Sequence, residues 1–123
     1  MHILYEAELN RVEPSVVLGD LPIPPDNFVR YIVEGVSKQL HLIDSMIASH
    51  SEGWAVPRMP ILDRNILRIG VFELLDHRDA SVAVIISEAV ELANRYSTEE
   101  SGSFVNGVLS SLASTIRPQF SGS

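Results

Sequence analysis

The chain has 123 residues, 46% of them hydrophobic, no cysteine and a formal net charge of −7. This length predicts one domain, and the hydrophobic content excludes an intrinsically disordered chain. The sequence has no signal-peptide pattern and no run approaching the roughly 18 apolar residues of a membrane span, so we expect a cytoplasmic protein. The acidic balance opposes unaided nucleic-acid binding, because such binding needs Lys and Arg to displace counterions from phosphates.

The first predicted helix covers residues 2–11, where Ile3, Leu4 and Ala7 repeat at helical spacing. It begins at the first residue without a visible cap, so we expect that a segment upstream is missing. Four prolines and one glycine follow within residues 12–25 and forbid a long helix there, which predicts a linker.

A second helix is predicted to run from the N-cap Asp26 to about Ser49, and we expect it to be the longest helix of the chain. Gly35 lies inside this pattern. A glycine in a helix costs about 1 kcal/mol relative to alanine, so its presence indicates a close crossing by another helix. A break over residues 52–60 ends the helix, and we expect Trp54 to pack over this junction.

The carboxy-terminal half contains three more predicted helices, the first two over residues 61–76 and 82–96. The run Val82–Ile86 favours a strand by propensity alone. A wider window shows apolar residues repeating every three and four positions, with no strand alternation, and this decides for a helix.

The third of these helices is predicted to be capped by Ser97 or Thr98 and to stop at Pro118. Two glutamates directly after the cap suit the positive end of the helix. Asn106-Gly107 is typical of a hairpin turn, but the apolar face runs through it. We therefore predict that Gly107 is a close packing point between helices.

Sequence motifs for catalysis are absent. The chain contains no phosphate-binding glycine loop and no Gly-x-Ser-x-Gly elbow. Its four histidines are dispersed, and only His41 with Asp44 has helical pair spacing, which favours surface histidines over a zinc site. Acidic pairs such as Glu99 and Glu100 are adjacent in sequence and do not converge as a catalytic pair does. We predict a protein that is not an enzyme and uses no metal or cofactor.

Three features allow a functional and an ordinary interpretation. Arg64 and Arg68 lie one helical turn apart and could contact phosphates, but solvated or intramolecularly paired charges are the favoured interpretation. Phe104 starts an apolar face and is by default a core residue. Tyr5 lies beside the apolar face of the first helix, where a half-buried tyrosine needs no function.

Several stretches match the sequence pattern of a known family, and these are Ile3–Glu8, Ile66–Ile69, Glu73–Leu74, Glu88–Ala93 and Phe104–Leu109. Through them the carboxy-terminal half resembles the NusB family of transcription antitermination factors, and the first helix fits the opening helix of that family. The sequence Phe-Val-Asn-Gly-Val-Leu, at this distance after Glu-Ala-Val-Glu-Leu-Ala, is the most specific of them.

This resemblance implies an all-α fold of two small helical bundles with about six or seven helices. The domain would cover residues 1–123, with subdomains of roughly 1–57 and 58–123. It also implies a role: pairing with NusE, a ribosomal small-subunit protein, and binding the boxA element of nascent ribosomal RNA. The pair would help RNA polymerase read through terminators in ribosomal RNA operons, without catalysis and without a cofactor. Single-stranded RNA is recognised by stacking and hydrogen bonding.

The family's RNA-facing positions correspond to Tyr5 on the first helix and to Glu100 and Phe104 at the start of the last helix. The resemblance therefore implies that Phe104 is a platform for base stacking. Ser103 stands at an RNA-facing position where many relatives have a lysine. Many relatives also carry an arginine-rich arm before the first helix, and we expect NusE to supply the positive charge that this sequence lacks.

The resemblance further implies that Asp63, with Arg64 beside it, lies at the surface that meets NusE. An alternative keeps the same fold but gives it another role, that of a protein-interaction module or homodimer with little RNA binding of its own. Similar helical domains are fused to RNA cytosine methyltransferases.

Overall fold

The computed structural model describes residues 2–12, 26–51 and 55–118. A short 3-10 helix at Val56–Arg58 precedes the fourth α-helix. The described residues contain no strand, which confirms the predicted all-α class, and none of their helices is both long and apolar enough to cross a membrane. The described α-helices are α1 (His2–Leu9), α2 (Asn27–Lys38), α3 (Leu40–His50), α4 (Ile61–Asp76), α5 (Val82–Tyr96) and α6 (Glu99–Ile116).

Helix α4 is the central element of the described fold. It packs against α1, α2, α3, α5 and α6. Nine of its 16 residues are buried, and five of these nine are the fully buried core side chains Ile66, Leu67, Val71, Phe72 and Leu74. A helix that is apolar on most of its sides needs neighbours around it, and the other helices provide them. The division into two subdomains stays a prediction, as do the expectations for the linker and Trp54, most of which fall outside the described residues.

The prediction of one long helix after Asp26 is wrong in its second half. Asp26 is the N-cap, as predicted, and its Oδ1 accepts the backbone N–H of Val29 at 2.8 Å. At Gln39 the backbone leaves helical geometry, with φ −112° and ψ 20°, and the chain continues as α3. This bend lets α2 pack on α4 while α3 reaches both α4 and α6. The longest described helix is α6, with 18 residues.

Glycines mark two of the close helix crossings. A Cβ on Gly35 would overlap the Phe72 ring, which confirms the predicted crossing of α2 by another helix, here α4. Gly70 plays the same part where α4 meets α6, because a Cβ there would lie 2.8 Å from a methyl carbon of Leu109. The prediction for Gly107 is wrong: its Cβ would meet nothing within 4 Å, since this position faces away from the core.

Arg117 closes the carboxy-terminal end of α4, a role that the sequence did not reveal. Its guanidinium donates to the backbone carbonyls of Leu74 at 3.0 Å, Glu73 at 3.1 Å, His77 at 3.0 Å and Ala80 at 2.7 Å. The last carbonyls of a helix have no partner within the helix. Arg117 supplies a donor to the Leu74 carbonyl, and a second donor to the carbonyls of Glu73 and His77, which also accept the backbone N–H groups of His77 and Ala80. Burial lowers the pKa of Arg117 from its usual range.

We predict that Gly35→Ala lowers the free energy of unfolding by about 1–3 kcal/mol, because the new methyl group must displace the Phe72 ring in a packed core. Gly107→Ala is the matched control. It adds the same methyl group to a helix interior where space is open, and we expect it to stabilise the protein by about 0.5–1 kcal/mol. Urea denaturation of the two variants and the parent chain measures both values. Equal stabilities for the two variants would contradict the crossing at Gly35.

Candidate nucleic-acid interface

The first turn of α6 is fixed by a cluster of hydroxyl groups. Thr98 is the N-cap, since its Oγ1 accepts the backbone N–H of Ser101 at 3.0 Å, which decides between the two predicted caps. The Ser101 hydroxyl lies 2.9 Å from that of Ser97 and donates to Asp63 Oδ2 at 2.9 Å. These bonds hold the start of α6 against the first turn of α4, although Asp63 and Ser101 lie 38 positions apart in sequence.

A groove of about 450 Å³ opens between these two helix starts, and we call it the α6 groove. It brings together three residues that the sequence had singled out: Asp63, Glu100 and Phe104. The complete lining is Pro60, Asp63, Ser97, Thr98, Glu100, Ser101 and Phe104. An aromatic ring and two carboxylates therefore share one concave surface.

Phe104 belongs to both the core and the surface. Its partly buried ring packs against the hydrophobic core, as the default interpretation predicts. It also lines a second groove, of about 360 Å³, on its other side, together with Ser103, His50 and Ser111. His50 Nδ1 and Ser111 Oγ are 2.7 Å apart and join α3 to α6 in this second groove. The ring thus separates two grooves and borders both.

Asp63 is buried, with 2% of its surface exposed, and not displayed as a surface residue. Its Oδ2 accepts from Ser101, but its Oδ1 is buried without a hydrogen-bond partner among the described residues. A buried carboxylate oxygen without a donor is costly, and the cost is larger for a charged group than for a neutral one. The wall of the α6 groove therefore contains an uncompensated acceptor, suited to a cationic or N–H donor group from outside.

Arg64 and Arg68 are paired within the chain, as the ordinary interpretation predicts. Arg64 donates through Nε to Glu8 at 3.0 Å and through NH1 to the Val56 carbonyl at 2.9 Å. Arg68 donates to both carboxylate oxygens of Asp44 at 2.8 Å and to Glu8 at 2.6 Å. Burial lowers the pKa of Arg68, but the bonds to Asp44 and Glu8 outweigh it and the net shift is upward. These guanidinium groups are engaged inside the fold.

The remaining predicted residues lie around this site. Ser103 is exposed and lines the second groove, next to Phe104. Tyr5 is half-buried on α1 and does not line the α6 groove. The RNA roles of Tyr5, Glu100, Ser103 and Phe104, and the partner role of Asp63 and Arg64, stay predictions. Sequence reasoning missed Ser101 and His50, although the Ser-Thr-x-x-Ser spacing of the cap was a signal for the first.

The electrostatics of the site are unfavourable for a polyanion alone. Among the described residues, neither Lys nor Arg lines the α6 groove or the second groove, while Asp63 and Glu100 line the first. The described residues also contain no group of three or more histidines and acids that could hold a metal ion. The Phe104 ring can stack on another ring, and the two carboxylates can accept hydrogen bonds. Binding phosphates would require positive charge from another molecule.

A helical fold around one buried helix, with an aromatic ring between two surface grooves, is typical of a binding protein. The NusB family model matches residues 4–114, and the chain belongs to that family of transcription antitermination factors. It is 42% identical over 120 residues to the transcription antitermination protein NusB of Salinispora tropica, covering 92% of this chain and 88% of that relative. The corresponding protein of Saccharopolyspora erythraea is 45% identical over 118 residues, covering 90% and 79%.

Solved structures agree with the family assignment. A NusB structure from T. maritima matches with a TM-score of 0.83 at 36% identity, covering 91% of this chain and 83% of that one. A crystal structure of the antitermination factors NusB and NusE in complex with dsRNA matches with a TM-score of 0.77 at 28% identity, covering 92% and 89%. The resemblance inferred from the sequence is therefore confirmed.

We predict that Ser101→Ala lowers the free energy of unfolding by about 1–3 kcal/mol, because it removes the donor to Asp63 Oδ2 and leaves the whole carboxylate unsatisfied. Ser114→Ala, at an exposed position on the same helix, is the control and should change stability by no more than about 0.5 kcal/mol. Thermal or urea unfolding at neutral pH gives both values. If the two substitutions have the same effect, the bond between Ser101 and Asp63 does not stabilise the fold.

Proposed function

We propose that this chain binds the boxA element of nascent ribosomal RNA together with NusE, a ribosomal small-subunit protein. The pair would act on transcribing RNA polymerase so that it reads through terminators. The proposal is supported by the family assignment and by the neighbouring structure that holds NusB, NusE and RNA together. The observation that carries it is the α6 groove, where the Phe104 ring and two carboxylates share one surface and no Lys or Arg of the described residues contributes to the lining.

The acidity of the groove supports a basic protein partner. The chain has a formal net charge of −7, and Asp63, whose buried Oδ1 has no partner among the described residues, lines the same groove as Glu100. A lysine or arginine from NusE would find two carboxylates there. Because one of them is already desolvated, pairing would recover a cost that folding left in place. Arg64 would act indirectly by holding Glu8 and α1 against α4.

The position of Phe104 supports stacking of an unpaired base. Its ring borders a groove on each side, and stacking on an aromatic side chain contributes about 1–3 kcal/mol per base. In this proposal Glu100 accepts hydrogen bonds from base N–H groups, and the Ser103 hydroxyl contacts the RNA from the second groove. Tyr5 would contact the RNA from α1. No Lys or Arg of the described residues lines either groove, so the chain would recognise the base while NusE would contact the phosphates.

We predict that mixing the chain with NusE raises its affinity for a boxA RNA well above that of either protein alone. In this mixture Phe104→Ala should weaken RNA binding by about 5- to 150-fold, the loss of one stacked base. Fluorescence anisotropy of labelled boxA RNA measures both effects. Phe28→Ala is the matched control, because Phe28 is 48% exposed on α2 and lines neither groove.

Four results would speak against this role. Unchanged RNA affinity for Phe104→Ala would remove the stacking platform, and a stability loss of about 3 kcal/mol or more would make Phe104 a core residue. The absence of any gain on adding NusE would favour the alternative role as a protein-interaction module. A homodimer by light scattering that hides Phe104 would point the same way.

We also predict that Asp63→Asn weakens the complex with NusE, because the neutral amide cannot pair with a cation from the partner. The expected loss is about 2–5 kcal/mol if the pair is desolvated in the complex. Isothermal titration calorimetry measures it, with Asp79→Asn, an exposed acid after α4, as the matched control. Equal affinities for the two variants would exclude Asp63 from the interface. The stability of Asp63→Asn should stay close to that of the parent chain.

A further inference from the structure

A separate groove of about 300 Å³ lies between α1, α4 and the bend from α2 to α3. We call it the α1 groove. Its walls are mostly aliphatic, and the side chains that form them are Leu4, Ala7, Val12, Val36 and Leu40. Its polar lining is Glu8, Arg11, Asn65 and Arg68. None of these residues lines the α6 groove, so the two surfaces are distinct.

Asn65 provides a buried donor in this groove. The residue is 1% exposed, and its Oδ1 accepts from Arg68 NH1 at 3.2 Å. A guanidinium can only donate, so the atom facing it must be the oxygen, and the amide orientation is fixed. The other atom, Nδ2, has no hydrogen-bond partner in the part of the chain that the structure describes. Two amide hydrogens are therefore buried at a groove wall without an acceptor.

The charged side chains nearby do not supply that acceptor. Glu8 and Asp44 are both bonded to Arg68, and Glu8 is also bonded to Arg64. These two acids and two arginines form a neutral group whose carboxylates and guanidiniums serve one another. Among the described residues of the α1 groove, Arg11 is exposed to water, and the buried group that remains without a partner is the neutral N–H donor of Asn65.

We propose that the α1 groove is a binding site for a neutral carbonyl oxygen carried on a short branched aliphatic chain. The Asn65 Nδ2 group donates to the carbonyl, and Leu4, Val36 and Leu40 hold the aliphatic part. A pocket of this size, largely apolar with one or a few placed polar groups, is typical of small-ligand sites. A carboxylate fits less well, because its desolvation is far more costly and the guanidinium of Arg68 is already neutralised. Arg11 also lines the groove, but its side chain is exposed, so water screens its attraction for an anion. This proposal is independent of RNA and NusE binding.

Nuclear magnetic resonance on the intact chain tests it, with the side-chain NH₂ signals of Asn65 as the reporter. The probes are 4-methylpentanamide, its isosteric anion 4-methylpentanoate, and N-acetyl-leucine methylamide. We expect the free amide to move the Asn65 signals downfield in a saturable way, and to give contacts from its methyl groups to those of Leu4 and Val36. The anion should bind at least about tenfold more weakly. Tighter binding of the acetylated leucine would indicate a peptide as the natural source of the carbonyl, and tighter binding of the free amide a small molecule.

Asn65→Leu separates binding from folding. It removes the Nδ2 group that lacks an acceptor, and also the Oδ1 that accepts from Arg68, whose NH1 keeps its bond to Glu8 at 2.6 Å. We therefore expect a melting temperature close to that of the parent chain and a loss of amide affinity of about tenfold or more. Asn106→Leu, at an exposed position on α6, should leave amide binding unchanged. The proposal is overturned if the amide leaves the Asn65 signals unmoved in the parent chain, if the anion binds as well as the amide, or if Asn65→Leu binds normally. A fall in melting temperature larger than the loss of the one bond between Asn65 and Arg68 explains would make Asn65 a structural residue and would also overturn the proposal.

Discussion

Five helices pack around α4 and bury several of its polar side chains, which must then find hydrogen-bond partners inside the fold. Moving charges out of water is costly, and their attraction offsets that cost only when the geometry is good and the remaining hydrogen bonds are made. Arg68 meets this condition by donating to both oxygens of Asp44 and to Glu8. The same bonds fasten α1 and α3 to α4, so the charged group acts as a fixed joint between helices. Its arginines are consequently unavailable for phosphate.

Helix α4 is surrounded by other helices, yet two of its buried side-chain atoms, Asp63 Oδ1 and Asn65 Nδ2, have no hydrogen-bond partner among the described residues. Asp63 and Asn65 are two positions apart, which turns their side chains about 200° from each other around a helix axis. One faces the α6 groove and the other the α1 groove. Buried polar groups are usually paired, and exceptions in native proteins call for an explanation such as a functional role. Each of these two residues lines a concave surface, which is why we propose that an outside group completes the hydrogen bonding at both.

The positions of the helices could be predicted from local sequence signals, but the packing of one helix against another could not. Apolar spacing and the caps at Asp26 and Thr98 fixed the helix ends to within one or two residues in most cases. The bend at Gln39 has no proline or glycine at that position to indicate it, and the apolar period continues through it. Beyond the bend, α3 contacts both α4 and α6, and these contacts involve residues distant in sequence. Gly35 and Gly107 look alike in sequence, yet only the first lies under another helix. The site shows the same limit, since Asp63 meets Ser101 across 38 positions.

In the proposed assembly, the acidic groove explains why recognition and charge neutralisation would be divided between two proteins. Phosphates beside Phe104 would be repelled by Glu100 and by the desolvated carboxylate of Asp63. A cation from the partner would remove that repulsion and supply the donor that Oδ1 lacks, so partner binding would precede or accompany RNA binding. By linkage, a partner that binds only the folded chain also stabilises it. In the isolated chain, the unpaired carboxylate oxygen of Asp63 would lower the free energy of unfolding, and the negative charge would weaken RNA binding. Both effects would restrict RNA binding to the complete complex.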